Sequence, residues 1–480
     1  MKKLFLAAIL FMSTAMLSMA QNDIDAFRFS QYDYEGTARF MGAGGAFSAV
    51  GAEFSALNVN PAAIGVYKKS EITFTPLVIS IYNNNALYNG HNSRNGSTVK
   101  YSLTNAGGAF RIGLGEGSGW KSINLGFGYN RICDYNNAYR IEGQSNNSSM
   151  MDEFLSDIQG KKLQNFSDNE LLAWKTYMID YDSAQGKFYS PFAKHSLHQK
   201  LVTESSGAKD EIAFSIGGNY NDQLFIGATI GVPVINYNER TKYNETDDQA
   251  TTYISSYDIN ENLRVRTTGV NLKLGVIYQP AEFIRIGAAF HTPSYFGRVR
   301  NTYTRTMASH YPDGNGSGTF ENNYSFNYTL HTPLKAIGSV AFLIKKRAFL
   351  SAEYEFTGYG MARMNSNDYS FDDENQAIQD KYGACHTVRV GGEVYVTNFF
   401  LLRAGYNFKS SAYRNTVNNN NAMHTASAGF GFRTKYFFCD FAYVFKTKNE
   451  NLWLYDSDFV DPAYMKSNTH RIAATVGCKF

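Results

Sequence analysis

Seven charged side chains fall where the polar face of a strand would carry them: Lys273, Arg285, Glu353, Glu355, Arg389, Glu393 and Arg403. The cations among them, Lys273, Arg285, Arg389 and Arg403, could hold a fatty-acid carboxylate through charge-assisted hydrogen bonds. The interspersed glutamates favour a plainer use, in which neighbouring faces pair their charges. The nine histidines have no metal-ligand spacing, and His195 and His198, three apart, read as polar loop residues. The cysteines Cys133, Cys385, Cys439 and Cys478 form no CxxC pair, so neither a zinc site nor a disulfide framework is expected. Cys439 and Cys478 fall on apolar phases and read as small lipid-facing side chains. GxSxG, HExxH, GxGxxG and a nucleotide-binding loop are all missing, so no enzyme, cofactor, metal or direct ATP use is expected.

Any such face has to be positioned by strands, and composition agrees. The 480 residues are 44% hydrophobic and 15% aromatic but only 18% charged, below the roughly 25% of a soluble domain. An aromatic-rich chain is not disordered. After residue 20 no apolar run approaches the roughly 20 residues of a spanning helix. The net charge of +3 gives no basic-patch argument for nucleic acid.

Period-two alternation recurs instead. In Val388–Val396 the valines oppose Arg389 and Glu393, and in Ala348–Phe356 the glutamates oppose Leu350, Ala352, Tyr354 and Phe356. Such segments lie near 70–82, 99–113, 121–143, 198–220, 223–243, 252–279, 282–306, 319–344, 347–359, 384–397, 399–412, 421–434, 435–448 and 468–480. Short turns alternate with long polar loops between them. The pattern describes an all-β, 14-stranded antiparallel transmembrane barrel, with turns in the periplasm and loops outside. A soluble sandwich also alternates, but it gives no reason for loop lengths to alternate over thirteen connections.

The ends support export. Lys2-Lys3, the apolar Leu4–Met12 and Ser18-Met19-Ala20 read as a signal peptide (1–20) cleaved before Gln21. Phe480 ends an alternating strand and resembles the signal read by the barrel-assembly machinery. The expected location is the outer membrane of a Gram-negative bacterium, with an even strand number placing both ends of the chain in the periplasm. The expected domains are the leader, a hatch over 21–69 and a barrel over 70–480 with a helical extracellular loop at 144–197. Residues 38–65 are rich in Gly and Ala, which let backbones approach closely in a confined lumen. A hatch also argues against an open diffusion porin.

The stretch Arg39–Gly65, with its glycine-rich start and Asn60-Pro61-Ala62, resembles the N-terminal hatch of the FadL family of outer-membrane transporters of hydrophobic compounds. Fourteen strands and the terminal Phe agree. The Asn-rich loops and Tyr-rich strands resemble the Bacteroidetes branch, some of whose members are described as hemin receptors. The resemblance implies a monomeric, lipid-embedded channel for passive uptake of hydrophobic small molecules such as long-chain fatty acids. It implies a hatch-plugged lumen and lateral exit at an inward kink of the third strand, near the NPA triplet. Asn60, Pro61 and Ala62 carry over as gate residues, and Gly126 and Gly128 are candidates for the bend. Alternative roles implied by relatives are a protein-binding component of type IX secretion and a haem uptake receptor.

In the loop 144–197, Met150–Ile158 and Glu170–Met178 read as amphipathic helices, and Ser167 with Glu170 forms a capping-box pattern. Phe154, Leu155, Leu171, Leu172, Trp174, Tyr177 and Met178 either line a groove that captures a greasy ligand or pack on the rim.

Overall fold

The computed structural model describes residues 23–480 except 34, 116, 118, 146–147, 193–195, 250–252, 312–318 and 346. The expected signal peptide, its cleavage before Gln21, and His195 lie outside the described residues. The chain is a closed antiparallel barrel of fourteen strands. They are β1 (Glu71–Tyr88), β2 (Thr98–Ser102 with Asn105–Gly113), β3 (Trp120–Asp134 with Asn137–Ser145), β4 (Leu197–Tyr220), β5 (Leu224–Asp247) and β6 (Ser256–Thr268 with Asn271–Ala281). There follow β7 (Ile284–His291 with Tyr295–His310), β8 (Thr319–His331 with Lys335–Ile344), β9 (Ala348–Gly358) and β10 (Ala384–Tyr395). The last four are β11 (Phe400–Lys409), β12 (Met423–Arg433), β13 (Phe437–Leu452) and β14 (Ala463–Lys479). Pairing of Glu71 with Lys479 closes the ring.

Each strand puts alternate side chains on opposite faces. The outward set is apolar and exposed, for example Leu272, Leu274 and Val276 on β6 or Val388, Val390 and Val394 on β10. The inward set is polar and buried, for example Lys273, Glu353, Arg389 and Arg403. A wet-inside, greasy-outside cylinder can span a bilayer because most of its backbone groups are paired within the ladder. Near its extracellular edge the outer face carries one motif three times. A Phe lies opposite a His, and a Tyr two residues along shares its hydroxyl with the ring nitrogen Nδ1. These sets are Tyr354, Phe356 and His386 at 2.7 Å, Tyr406, Phe408 and His424 at 2.6 Å, and Tyr443, Phe445 and His470 at 2.8 Å. Amphipathic rings of this kind belong at the membrane–water interface.

Besides the breaks at 103–104 and 135–136 in β2 and β3, three of the long expected strands are each interrupted once, at 269–270, 292–294 and 332–334. Pro293 and Pro333 supply no N–H to the ladder at the last two of these sites. The neighbouring breaks are stitched by Ser294 N donating to Thr332 Oγ1 at 2.8 Å.

Residues 23–66 fill the lumen with α1 (Asp23–Ser30), α2 (Ala38–Gly42) and two short 3-10 turns, Ser55–Asn58 and Pro61–Val66. Asp23 sits high, bonded at 2.8 Å to Lys381 of a helix in the fifth extracellular loop. The barrel's own first and last strand ends meet at the opposite side. Asp23 therefore lies near the outer face inside the lumen, not in the periplasm as expected, because Phe27 and Phe29 of the otherwise polar α1 find their burial there. Phe27 and Phe29 are enclosed by Tyr135, Tyr237, Tyr359 and Tyr382.

Candidate functional site: a hatch-closed seam

The third strand bends, but not where glycine suggested. The β2–β3 ladder runs unbroken through Gly126 and Gly128 to the pair Asn105–Asn130, and its last backbone bond is from Arg131 N to Thr104 O at 2.8 Å. A register shift follows between Arg131 and Cys133, and the strand breaks at 135–136. Beyond it, Asn137–Ser145 pairs with β4. The outer part of β2, Thr98–Ser102, pairs with β1. A seam thus opens between β2 and β3 in the extracellular half of the wall. Gly126 and Gly128 instead face the hatch: a Cβ added there would meet Ile64 at 2.7 Å or the Phe54 ring at 2.6 Å. They admit a close approach of the plug and are not the bend.

The hatch closes this seam with its own backbone. Asp33 N donates to Ile132 O on β3 at 2.9 Å, and Thr104 Oγ1 on β2 donates to Gly36 O at 2.9 Å. Buried polar backbone must be paired, and here residues 33 and 36 replace the missing strand neighbour. Charge fixes them in place. Arg471 of β14 reaches Glu35 at 2.9 Å and Asp33 at 3.3 Å, and Lys446 of β13 also pairs with Asp33. Burial opposes ionisation of Asp33, yet Lys446 and Arg471 hold its carboxyl at about 2. Burial pushes the Glu35 carboxyl up to about 7, with Arg471 opposing. Lys209 donates to the carbonyls of Phe29 at 3.0 Å and Gln31 at 3.1 Å.

The four lumenal cations are engaged in this architecture. Lys273 pairs with Glu211, Arg389 with Glu353 and Glu355, and Arg403 with Glu393 and Asp440. Arg285 donates to the hatch carbonyl of Val50 and to Gln279 Oε1. The hatch joins the network where Arg39 grips Glu393 with two bonds of 2.9 Å, and where Ser48 N donates to Glu353 at 3.1 Å. These groups bind plug to wall, so none of the four stands in this structure as a ligand cation.

Asn60-Pro61-Ala62 packs on β5 and β6 and does not touch the seam, which corrects the position implied by the resemblance. Asn60 caps a 3-10 turn: its Oδ1 accepts from Ala62 N at 3.0 Å, and its Nδ2 donates to Ser48 O at 2.9 Å and Val276 O at 3.2 Å. Pro61 fits the first helical position because no N–H is required there. A Cβ on Gly275 would stand 1.9 Å from Asn60 Oδ1. Gly275→Ala is therefore expected to destabilise hatch docking by about 1–3 kcal/mol. Faster hydrogen exchange of residues 58–64 than in the parent checks this.

Glu53 lies under the seam, its Oε2 accepting from Ala56 N at 2.9 Å. Burial raises its carboxyl to about 7, although Thr37 and Arg39 oppose the rise. The docked hatch thus holds this proton more tightly than the released one does. The resulting stability is complete below about 4.5 and is lost as pH rises through about 7. Exchange protection of residues 36–57, corrected for intrinsic rates, should fall between pH 5 and 8. In Glu53→Gln the fall should be smaller, leaving the part that Glu35 contributes, and in Glu53→Gln with Glu35→Gln it should be nearly level.

The extracellular loop folds as helices Met150–Ile158 and Asp168–Lys175. The Ser167–Glu170 capping box forms, and Ser149 with Asp152 builds a second. Phe154, Leu172 and Met178 are buried in a cluster with rim residues such as Tyr243, Tyr257, Leu454 and Met465. Leu155, Leu171 and Trp174 are partly buried against it, and Tyr177 is exposed. Among the described residues the helices therefore pack on the rim, the second of the two expected uses of this apolar face. Two open cavities, of about 460 and 480 Å³, lie among polar loop residues around Asn367 and Asn419, away from the lumen.

The same barrel-with-hatch architecture occurs in solved structures. A Pseudomonas aeruginosa FadL homologue matches with a TM-score of 0.56 over 94% of this chain and 99% of that one, at 14% identity. The fold is the FadL fold. The Pseudomonas putida toluene transporter TodX matches with a TM-score of 0.54 over 93% and 99%, at 12% identity. The monoaromatic hydrocarbon channel CymD matches with a TM-score of 0.50 over 94% and 99%, at 12% identity. No protein-family model and no curated protein matches the sequence. Within the FadL fold, the residues that sequence reasoning missed are Asp33, Glu35, Thr104, Ile132, Lys446 and Arg471. Of these only Asp33 and Glu35 carried a local signal, as two of the few charges on the hatch.

Proposed function

We propose that the chain is an outer-membrane channel through which hydrophobic small molecules pass without energy input of its own. It acts as a monomer and catalyses no reaction. Long-chain fatty acids are the substrate class adopted here, because an aliphatic chain suits the aromatic chamber that α1 occupies. The hatch, residues 21–69, gates the lumen, and a ligand leaves sideways between β2 and β3. The observation that carries this reading is the seam itself: a wall whose β2–β3 pairing stops at Thr104 and Arg131 and is continued by residues 33 and 36 of the lumenal segment. The fold shared with a toluene transporter and a monoaromatic hydrocarbon channel supports it.

The test is uptake of a radiolabelled long-chain fatty acid, with toluene in parallel, into proteoliposomes holding the full mature chain or one lacking residues 21–66. Saturable uptake by the full chain and leakage of small polar solutes after deletion are expected. A sealed full chain that moves neither compound would refute transport and would favour a role for the rim in binding a protein.

A further inference from the structure

Inside the barrel Lys273, Arg389, Arg403 and Arg471 each meet a carboxylate, whereas a group of four arginines on the outer wall does not. Arg264 and Arg266 on β6 and Arg298 and Arg300 on β7 are all exposed. Arg266 lies directly opposite Arg300 in the ladder. Like charges in that position repel. Arg264 Nε donates to Asn238 at 3.1 Å and Arg298 Nε to Asn327 at 3.3 Å, so neutral amides orient two of the guanidinium groups. Among the described residues, none of the four pairs with a carboxylate. Their ladder partners Asn236, Asn238, Thr302 and Asn327 are neutral. The acids next in register, Glu239 and Glu261, belong to the inward set, and the outward Glu204 faces Arg240 on the far side of β5.

Height gives the patch its meaning. On β6 the outward residues Val276, Leu274, Leu272 and Val270 are apolar and exposed, and Arg266 follows four positions beyond Val270. On β7, Phe290 and Tyr295 are followed by Arg298 and Arg300. The guanidinium groups therefore begin where the apolar band ends, about one headgroup layer above it, since four strand residues span roughly 13 Å.

We propose that this face of β6 and β7 binds the phosphate groups of an outer-leaflet glycolipid, with the acyl chains lying on Leu272, Leu274 and Phe290 below. The proposal rests on the membrane orientation adopted above but not on transport. The planar guanidinium fork matches a phosphate with two parallel bonds, and a dianion between Arg266 and Arg300 cancels their repulsion. A phosphorylated glycolipid supplies both the charge and the apolar surface, which inorganic phosphate does not.

The experiment uses the full mature chain in detergent, with bound lipid counted by native mass spectrometry. The probes are bisphosphorylated lipid A, its dephosphorylated form and inorganic phosphate. The parent should retain the bisphosphorylated form at least about tenfold better than the dephosphorylated one, and millimolar phosphate should not displace it. Arg266→Gln with Arg300→Gln should lose at least about tenfold in retention, whereas the periplasmic-side control Lys121→Gln should match the parent. Because all of these side chains are exposed, the gel mobility of the folded barrel should be the same in each variant, and fatty-acid uptake by the double variant should equal the parent's. Equal retention of the two lipid forms, or equal retention by the double variant, would overturn the proposal. Displacement by inorganic phosphate alone would do the same, because it would reduce the patch to a simple anion site.

Discussion

Arg471→Met unseats the hatch and makes the barrel leak. Arg471 is 5% exposed and bonds Glu35 and Asp33 in the segment that seals the seam. Methionine keeps most of the volume and removes the charge, leaving the buried Glu35 carboxyl without its cation. Removing one partner of a buried ion pair costs about 3–5 kcal/mol. A loss of about 3 kcal/mol shifts the docked-to-released ratio by more than about a hundredfold. Liposome swelling with small sugars should accelerate by about tenfold or more. Burial already lifts the Glu35 carboxyl to about 7 against Arg471, so without that cation it takes up a proton near neutral pH and the leak should grow as pH rises. Glu35→Gln added to Arg471→Met should remove that pH dependence, a coupling that two independent sites would not show. A seal unchanged in Arg471→Met would show that Lys446 and the backbone bonds suffice.

A covalent tether is expected to stop uptake. A Cβ built on Gly42 of α2 stands 3.5 Å from Ala442 Cβ on β13. That spacing lies within the range of a disulfide. With Gly42→Cys and Ala442→Cys oxidised, the hatch cannot leave the wall, and fatty-acid uptake should fall by about tenfold or more and return on reduction. Uptake that persists in the oxidised form would mean that the hatch does not move as one body and that release of residues 33–36 is enough. Cys439 shares β13 with the new cysteine but lies on its lipid-facing side, so it does not compete.

The barrel was legible because a strand with one wet face writes a period of two into the sequence. The alternation of Val388–Val396 or Ile472–Phe480 depends on no other part of the chain. Ser167 and Glu170 were legible for the same reason, since a capping box is local. The seam was not. Residues 121–143 read as one strand, and nothing between Arg131 and Asn137 marks a break. The break holds because Asp33, about a hundred residues away in sequence, supplies the backbone donor that β2 does not. Likewise Phe154, Leu172 and Met178 have the period of an amphipathic helix whether the apolar face meets a ligand or the rim. Only the packing with Tyr257 and Leu454 decides between them.

The hatch precedes every barrel strand in the sequence, yet many of its partners are made last. Ala38 N bonds Thr475 Oγ1 across 437 positions, Gly44 N bonds Ser427 Oγ across 383, and Arg471 meets Asp33 across 438. Contacts so distant in sequence form late and slowly. Until β14 arrives, a segment carrying Phe27, Phe29, Phe40, Phe47 and Phe54 has no finished lumen to enter and is prone to aggregate. Assembly therefore couples two steps that look separate in the finished protein: the strand that zips the wall shut also delivers Arg471 and Thr475 to the plug. A barrel stalled before its last strand would be open at its edge and empty at its centre, and both defects are cured by the same final strand.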